Sequence, residues 1–302
     1  MPFTKVKYIT KEPIKAIDFL QNRLKYDNKK AQRILSRLRV VQDDNIIRSG
    51  GILKAGEFEI YEFVPITKGL KPLFVTEDFA IFDKPSKVLI HPNGRHCSYT
   101  ILDEVQYHFG KSANIVNRID YETSGLVVCS LNKWSEVILK EMFEQRKFSK
   151  KYLVIVKGKF GQIGKEIVID IPIKNAKADI RVLMKTCSLD EGGKPSITKA
   201  TPIKYDKNRD LTLLDIKLLT GRQHQIRVHL HSLGFPILGE PLYGQEYEFC
   251  DAYLRKTLSE EERIKKTGAN RVMLHSNYLE FEYKNRLYKI KSYQNFNFDI
   301  VK

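Results

Sequence analysis

The sequence is poor in cysteine. Its four cysteines, Cys97, Cys129, Cys187 and Cys250, lie far apart, with no C-x-x-C pair among them. That excludes a disulfide framework and a zinc ribbon, and leaves free thiols in a reducing cytosol as the expected state. Long apolar runs are missing as well. None approaches the roughly 20 residues that span a bilayer, and the opening MPFTKVKYIT holds no stretch of signal-peptide type. A cytoplasmic protein without a membrane partner is therefore expected. Repeats and low-complexity tracts are lacking, which speaks against a solenoid or a disordered tail. Neither a G-x-S-x-G elbow nor a Walker-type loop occurs, so hydrolase and NTPase readings lack support. Acidic residues are in deficit, with 36 against 52 basic ones and a formal net charge of +16. A field of that sign attracts polyanions, nucleic acid first and an anionic membrane surface second.

What is present suits a folded protein of more than one part. The 302 residues, 42 % of them hydrophobic, accommodate a large catalytic domain and an accessory one. Residues 1–66 read as a separate module with 13 basic and 8 acidic residues. Within 28–39, Ala31, Ile34, Leu35 and Leu38 fall on one helical face and Lys30, Arg33 and Arg37 on another. Short extended pieces punctuated by Gly50, Gly51 and Gly56 follow. Two helices and then small strands are expected, with the basic face as a candidate RNA contact. A solvated outer face has the same signature. Residues 65–72 read as a linker. Beyond it, strands are expected at 73–76, 126–130, 152–156, 211–218 and 278–283, and helices at 100–108 and 134–146. Ser98 or Tyr99 would start the first helix and Gly110 would end it.

Two stretches concentrate chemistry. NRIDYETSGL (117–126) puts Asp120 in a polar loop before an apolar strand, where reactive groups are often displayed. Arg118, Glu122 and Thr123 accompany it. A structural aspartate capping its own turn would look the same. LTGRQHQIRVHLH (219–231) carries Arg222 and Arg227. Its apolar residues fit a strand or a helix, and Gly234 as a C-cap favours the helix. His224, His229 and His231 have no H-E-x-x-H spacing, so hydrogen-bonded structural histidines are expected rather than metal ligands.

Five stretches in order resemble the RluA/RluC/RluD-type pseudouridine synthases. They are DKPSKVLIHP (83–92), NRIDYETSGLVV (117–128), KKYLVIVKG (150–158), LLTGRQHQIRVHL (218–230) with GFPILGEPLYG (234–244), and RVMLHSNYLEF (271–281). The 1–66 module resembles, more loosely, an S4 RNA-binding domain. The resemblance implies an α+β fold, with a mixed, mainly antiparallel catalytic sheet in 67–302 behind a small α/β module. It implies a monomeric isomerase that needs no cofactor or metal and acts on RNA, with large-subunit rRNA first and tRNA second. It makes Asp120 the catalytic aspartate, Tyr152 the ring that packs on the target base, and Arg222 the arginine that pairs with Asp120. Ile226 borders the base, and Arg118 fills the stack vacated by the flipped uridine; Thr123, with its hydroxyl in the same loop as Asp120, is a further substrate-binding candidate. The chain has Asn117, Gln223, Glu240 and Lys87 where the family usually has His, Thr, Asp and Gly. The rival readings are a non-catalytic RNA-binding or ribosome-assembly protein of the same fold and a metal-dependent nuclease. An intact Asp120, Tyr152 and Arg222 set disfavours the first. The want of carboxylates clustered with the histidines disfavours the second.

Overall fold

A computed structural model describes residues 3–92, 99–176, 180 and 182–300. Cys97 and Ser98, singled out above, lie outside these residues. The chain forms two compact units, residues 1–71 with 89–112, and residues 72–88 with 113–302.

The first unit opens on a strand rather than a helix. Phe3–Thr10 pairs antiparallel along its full length with Gly56–Phe63, and Val40–Gln42 and Asn45–Ile47 complete a four-stranded sheet. The alternation of Lys5 and Lys7 with Val6 and Tyr8 is a strand pattern. Helix Asn28–Ser36 packs Ala31, Ile34 and Leu35 into a core with Leu20, Phe58 and Ile60. Asp27 caps it by accepting from the Lys30 amide at 2.7 Å. The helix stops two residues before Leu38, whose φ of 56° breaks it. Residues 66–70 are not a loose linker. The buried Glu104 carboxylate accepts from the amides of Lys68 and Leu70 and the hydroxyls of Thr67 and Tyr99, at 2.6 to 3.4 Å. Burial alone would raise the pKa of Glu104, but these bonds hold it below the usual value. Helix Ile101–Phe109 is capped by Thr100, in a reciprocal box with Asp103, rather than by Tyr99, and it ends at Gly110 as expected.

The second unit is built on a ten-stranded sheet among the described residues. Its main path runs Ile167–Asp170, Ile197–Asp206, Leu211–Leu218, Ser149–Lys157, Leu274–Tyr283, Ser124–Ser130, Phe79–Lys84, Phe74–Val75. Pairing along the path is antiparallel except for one short parallel contact, in which Ser124 and Gly125 face His275 and Ser276. The fold is thus α+β with a mixed, mainly antiparallel sheet. The five expected strands and both expected helices are present, Leu211–Leu218 with the expected ends and the others with shifted ones. Sequence reading did not name Phe79–Lys84, Ile167–Asp170, Ile197–Asp206 or Arg286–Lys291. Residues 225–232 are helical, with a left-handed Gly234 (φ 83°) just beyond the end. One core places Tyr152, Val154, Leu214 and Ile216 against Ile226 and Leu230 of that helix. A second packs Phe79, Leu126, Leu139 and Phe281. Among the described residues no helix is long and apolar enough to cross a membrane.

Candidate active site

A cleft of about 1080 Å³ opens in the second unit, lined by Arg118, Asp120, Thr123, Tyr152, Arg222, His224, Ile226 and Arg227 among others. Most of the residues singled out for the catalytic site therefore converge on one place. The basic trio does not belong to it. Lys30 lies with its ammonium 3.2 Å from the centroid of the Tyr26 ring, and Arg33 and Arg37 are exposed on the first unit.

The loop that carries Asp120 is tied down on both sides. Before it, Asn117 accepts from the Val128 amide at 2.7 Å, so the residue that replaces the family's usual histidine anchors the loop. After it, the fully buried Lys84 ammonium donates to the carbonyls of Tyr121, Pro85 and Val88 at 2.9 to 3.1 Å. Burial pushes the Lys84 pKa down to about 7, with Asp120 pulling the other way. Ser86 donates to the Glu122 carbonyl at 2.6 Å. The Glu122 carboxylate takes both Arg263 nitrogens at 2.5 Å, the Val272 amide at 2.8 Å and the Tyr253 hydroxyl at 3.0 Å. Glu122 is thus a buried anchor, and Asp120 stands between fixed points.

Gly125 marks the other requirement of this loop. Its φ is 105°, and a Cβ there would lie 2.1 Å from the Ser276 carbonyl oxygen. Only glycine allows the two parallel strands to come this close. A different glycine has been replaced. Lys87 holds φ 62° where the family usually has Gly, in a region that side chains disfavour, and pairs with Glu260 at 3.2 Å.

The expected partner of Asp120 needs correction. The Arg222 side chain donates to the Pro195 carbonyl at 3.3 Å. The guanidinium that reaches Asp120 belongs to Arg227, Nη1 to Oδ2 at 3.2 Å. Arg227 is buried and bound through Nε and Nη2 to Glu240, both at 2.7 Å. Burial works against the Arg227 charge, but Glu240 and then Asp120 more than restore it, so its pKa lies well above the ordinary value. Burial likewise opposes the charge of Glu240, and Arg227 prevails, holding its pKa low. The misreading has a geometric cause. Arg222 sits in a turn held by Gln225, whose carbonyl oxygen accepts from the Arg222 amide and the Thr220 hydroxyl and whose amide donates to Ile197 and Thr198. Arg227 is in the first turn of the helix, next to Ile226, and shares its access to the cleft. Two arginines five residues apart look alike until that helix is oriented.

His224 and His229 are tied into hydrogen bonds, and His231 lies with its ring 6.1 Å from the Tyr243 ring. His229 is buried between the Thr198 hydroxyl and the Ile171 carbonyl, at 2.9 and 2.8 Å. His224 Nδ1 lies 2.8 Å from the Tyr243 hydroxyl, and its Nε2 lies 3.8 Å from Asp120. Burial, aided by Arg227, depresses the His224 pKa to about 4, so the ring is neutral at pH 7. Tyr243 Oη accepts from the Met184 amide and has a raised pKa, chiefly from burial. The phenol thus keeps its proton beside Nδ1, and Nε2 of His224 faces Asp120. Tyr152 is buried, and burial pushes its phenol up to about 12, so it too stays protonated.

Residues 78–232, half of the chain, match the model of the RNA pseudouridylate synthase family. The chain belongs to this family. A Helicobacter pylori protein described as an uncharacterized RNA pseudouridine synthase is 38 % identical over 295 residues, 97 % of this chain and 96 % of its own. The ribosomal large subunit pseudouridine synthase D of Buchnera aphidicola is 32 % identical over 224 residues, 72 % of this chain and 67 % of its own. The solved structure of human RNA pseudouridylate synthase domain containing 1 has a TM-score of 0.60 at 24 % identity, covering 78 % of this chain and 88 % of that one, and shares the fold. This pseudouridine synthase is accordingly an isomerase that converts uridine to pseudouridine in RNA.

Proposed function

We propose that this synthase modifies large-subunit ribosomal RNA, with Asp120 as the reacting carboxylate. The observation that carries the site is the chain Glu240–Arg227–Asp120. A buried carboxylate grips two arms of a guanidinium, and the third holds only Oδ2 of Asp120. Among the described residues no donor bonds Oδ1, and the Asp120 side chain is 34 % exposed. That oxygen is free for a substrate, while one directed bond orients the group. The reaction breaks the bond from ribose C1′ to uracil N1, turns the base and joins C1′ to C5, whose proton leaves to solvent. Tyr152 offers a flat wall to the detached uracil, and Ile226 and Thr123 border it. Arg118, exposed at the cleft, can fill the stack left by the flipped nucleotide. The ribosomal target is supported by the name of the Buchnera relative, by the basic helix of the first unit and by that unit's loose likeness to an S4 domain.

Asp120→Asn is expected to abolish tritium release from C5-labelled uridine RNA while leaving fold and RNA affinity intact. Substantial turnover by this variant would remove Asp120 from its role. Mapping pseudouridines in ribosomal and transfer RNA of a deletion strain tests the target. Loss confined to tRNA would overturn the ribosomal assignment.

A further inference from the structure

We propose that Lys150 and Arg146 form a phosphate-binding subsite on the cleft wall, seating a backbone phosphate of the RNA strand beside the isomerised uridine. The proposal rests on the RNA-isomerase reading and specifies where the strand runs. Lys150 stands two residues before Tyr152 on the strand Ser149–Lys157. Side chains two apart leave a strand on the same face, and both line the cleft that holds Asp120. Lys151 between them points to the other face and pairs there with Asp215 at 3.6 Å.

Lys150 differs from its neighbour in having no ion pair among the described residues. It is nonetheless half-buried, with its ammonium 5.7 Å from the centroid of the Phe143 ring and within 3.5 Å of the space a Cβ on Gly221 would take. Burial first, and Arg146 second, lower its pKa. A charge that is desolvated and repelled by a second cation lacks its counter-ion. Arg146 is exposed, lines the same cleft, and has no ion pair among the described residues. Its left-handed φ of 59° ends the helix Lys133–Glu144 and directs the chain back into the strand of Lys150. Two N–H-bearing cations on one wall suit the paired oxygens of a phosphodiester, which stays anionic throughout the working pH range.

The test is the salt dependence of binding of a fluorescein-labelled ten-residue oligouridylate to the full chain. Lys150→Gln and Arg146→Gln should each weaken binding about fivefold at low salt and reduce the slope of log affinity against log salt by about 0.7. Lys150→Arg should restore both. Lys150→Met, which keeps the apolar stem, replaces the glutamine variant if that one fails to fold. Lys151→Gln should change neither quantity. Equal losses at Lys150 and Lys151, or an unchanged slope at Lys150, would overturn the subsite. A wild-type chain that releases no tritium from ribosomal RNA, yet keeps the Lys150-dependent slope, would overturn the ribosomal assignment and leave the subsite standing.

Discussion

At the scale of single residues, the site turns on one arginine divided between two carboxylates. Because Glu240 takes the bidentate edge, Arg227 is fixed before any substrate arrives, and Asp120 receives one directed bond rather than a clamp. A lysine cannot make this three-way contact, since an ammonium has no planar fork. Arg227→Lys should therefore lower the single-turnover rate by about a hundredfold or more, equivalent to roughly 3 kcal/mol, with RNA affinity nearly unchanged. Arg222→Lys, at a side chain bonded among the described residues only to a backbone carbonyl, should stay within a few-fold of wild type. A larger loss at Arg222 than at Arg227 in the same assay would restore the pairing suggested by the sequence. Glu240 also shows what the family's usual aspartate implies. The longer side chain still reaches both arginine nitrogens at 2.7 Å and accepts the amides of Leu242 and Tyr243.

At the scale of elements, the helix Asn28–Ser36 separates burial from exposure in the manner its sequence shows. Ala31, Ile34 and Leu35 face the core, and Arg33 and Arg37 face water. If that exposed side contacts RNA phosphates, the triple substitution of Lys30, Arg33 and Arg37 by Gln should flatten the salt slope for ribosomal RNA by about 2 to 3 and spare the saturating rate. An unchanged slope would make it a solvated face only. Deleting residues 1–66 would be a poorer test, because the helix Ile101–Phe109 belongs to the same compact unit and would be left without most of it. Elements with a strong local signal were legible in the sequence. Ser124–Ser130 centres on the apolar LVVC, Leu211–Leu218 is rich in leucine and isoleucine, and the Lys133–Glu144 pattern is helical. Phe79–Lys84 was missed because its alternation is absent; all but Asp83 are buried, as in a central strand with both faces covered. Asp120, Tyr152 and Ile226, singled out by motif, do line one cleft. Arg227, Glu240 and the Glu122–Arg263 anchor could not be read in this way, because their pairings join segments 13 to 141 residues apart and depend on which way a helix is turned.

At the scale of the whole molecule, stability should be sensitive to mild acid. His224 and His275 are both held near a pKa of about 4 by burial, against about 6.5 in an unfolded chain. Both are neutral in the folded protein at pH 7. Between pH 6.5 and 4 the unfolded chain binds protons that the folded one refuses, so stability falls as the pH drops through this window. Each contributes at most about 3 kcal/mol. The loss at His275, whose Nδ1 meets the Ser124 hydroxyl and whose ring stacks on Phe296, should be the more clearly measured. Thermal melts of wild type and His275→Gln are expected to converge as the pH falls from 7 to 5. Parallel curves would assign the acid sensitivity to other groups. The short parallel contact of Ser124 and Gly125 with His275 and Ser276 has a further consequence, in time rather than energy. It joins residues about 150 positions apart, and loops of that length close slowly and late. The strand that follows the Asp120 loop gains this neighbour only once the chain has been made to residue 276. A ribosome that has not yet translated residue 276 therefore holds a chain whose active site is unfinished, and competence to modify RNA waits for that strand.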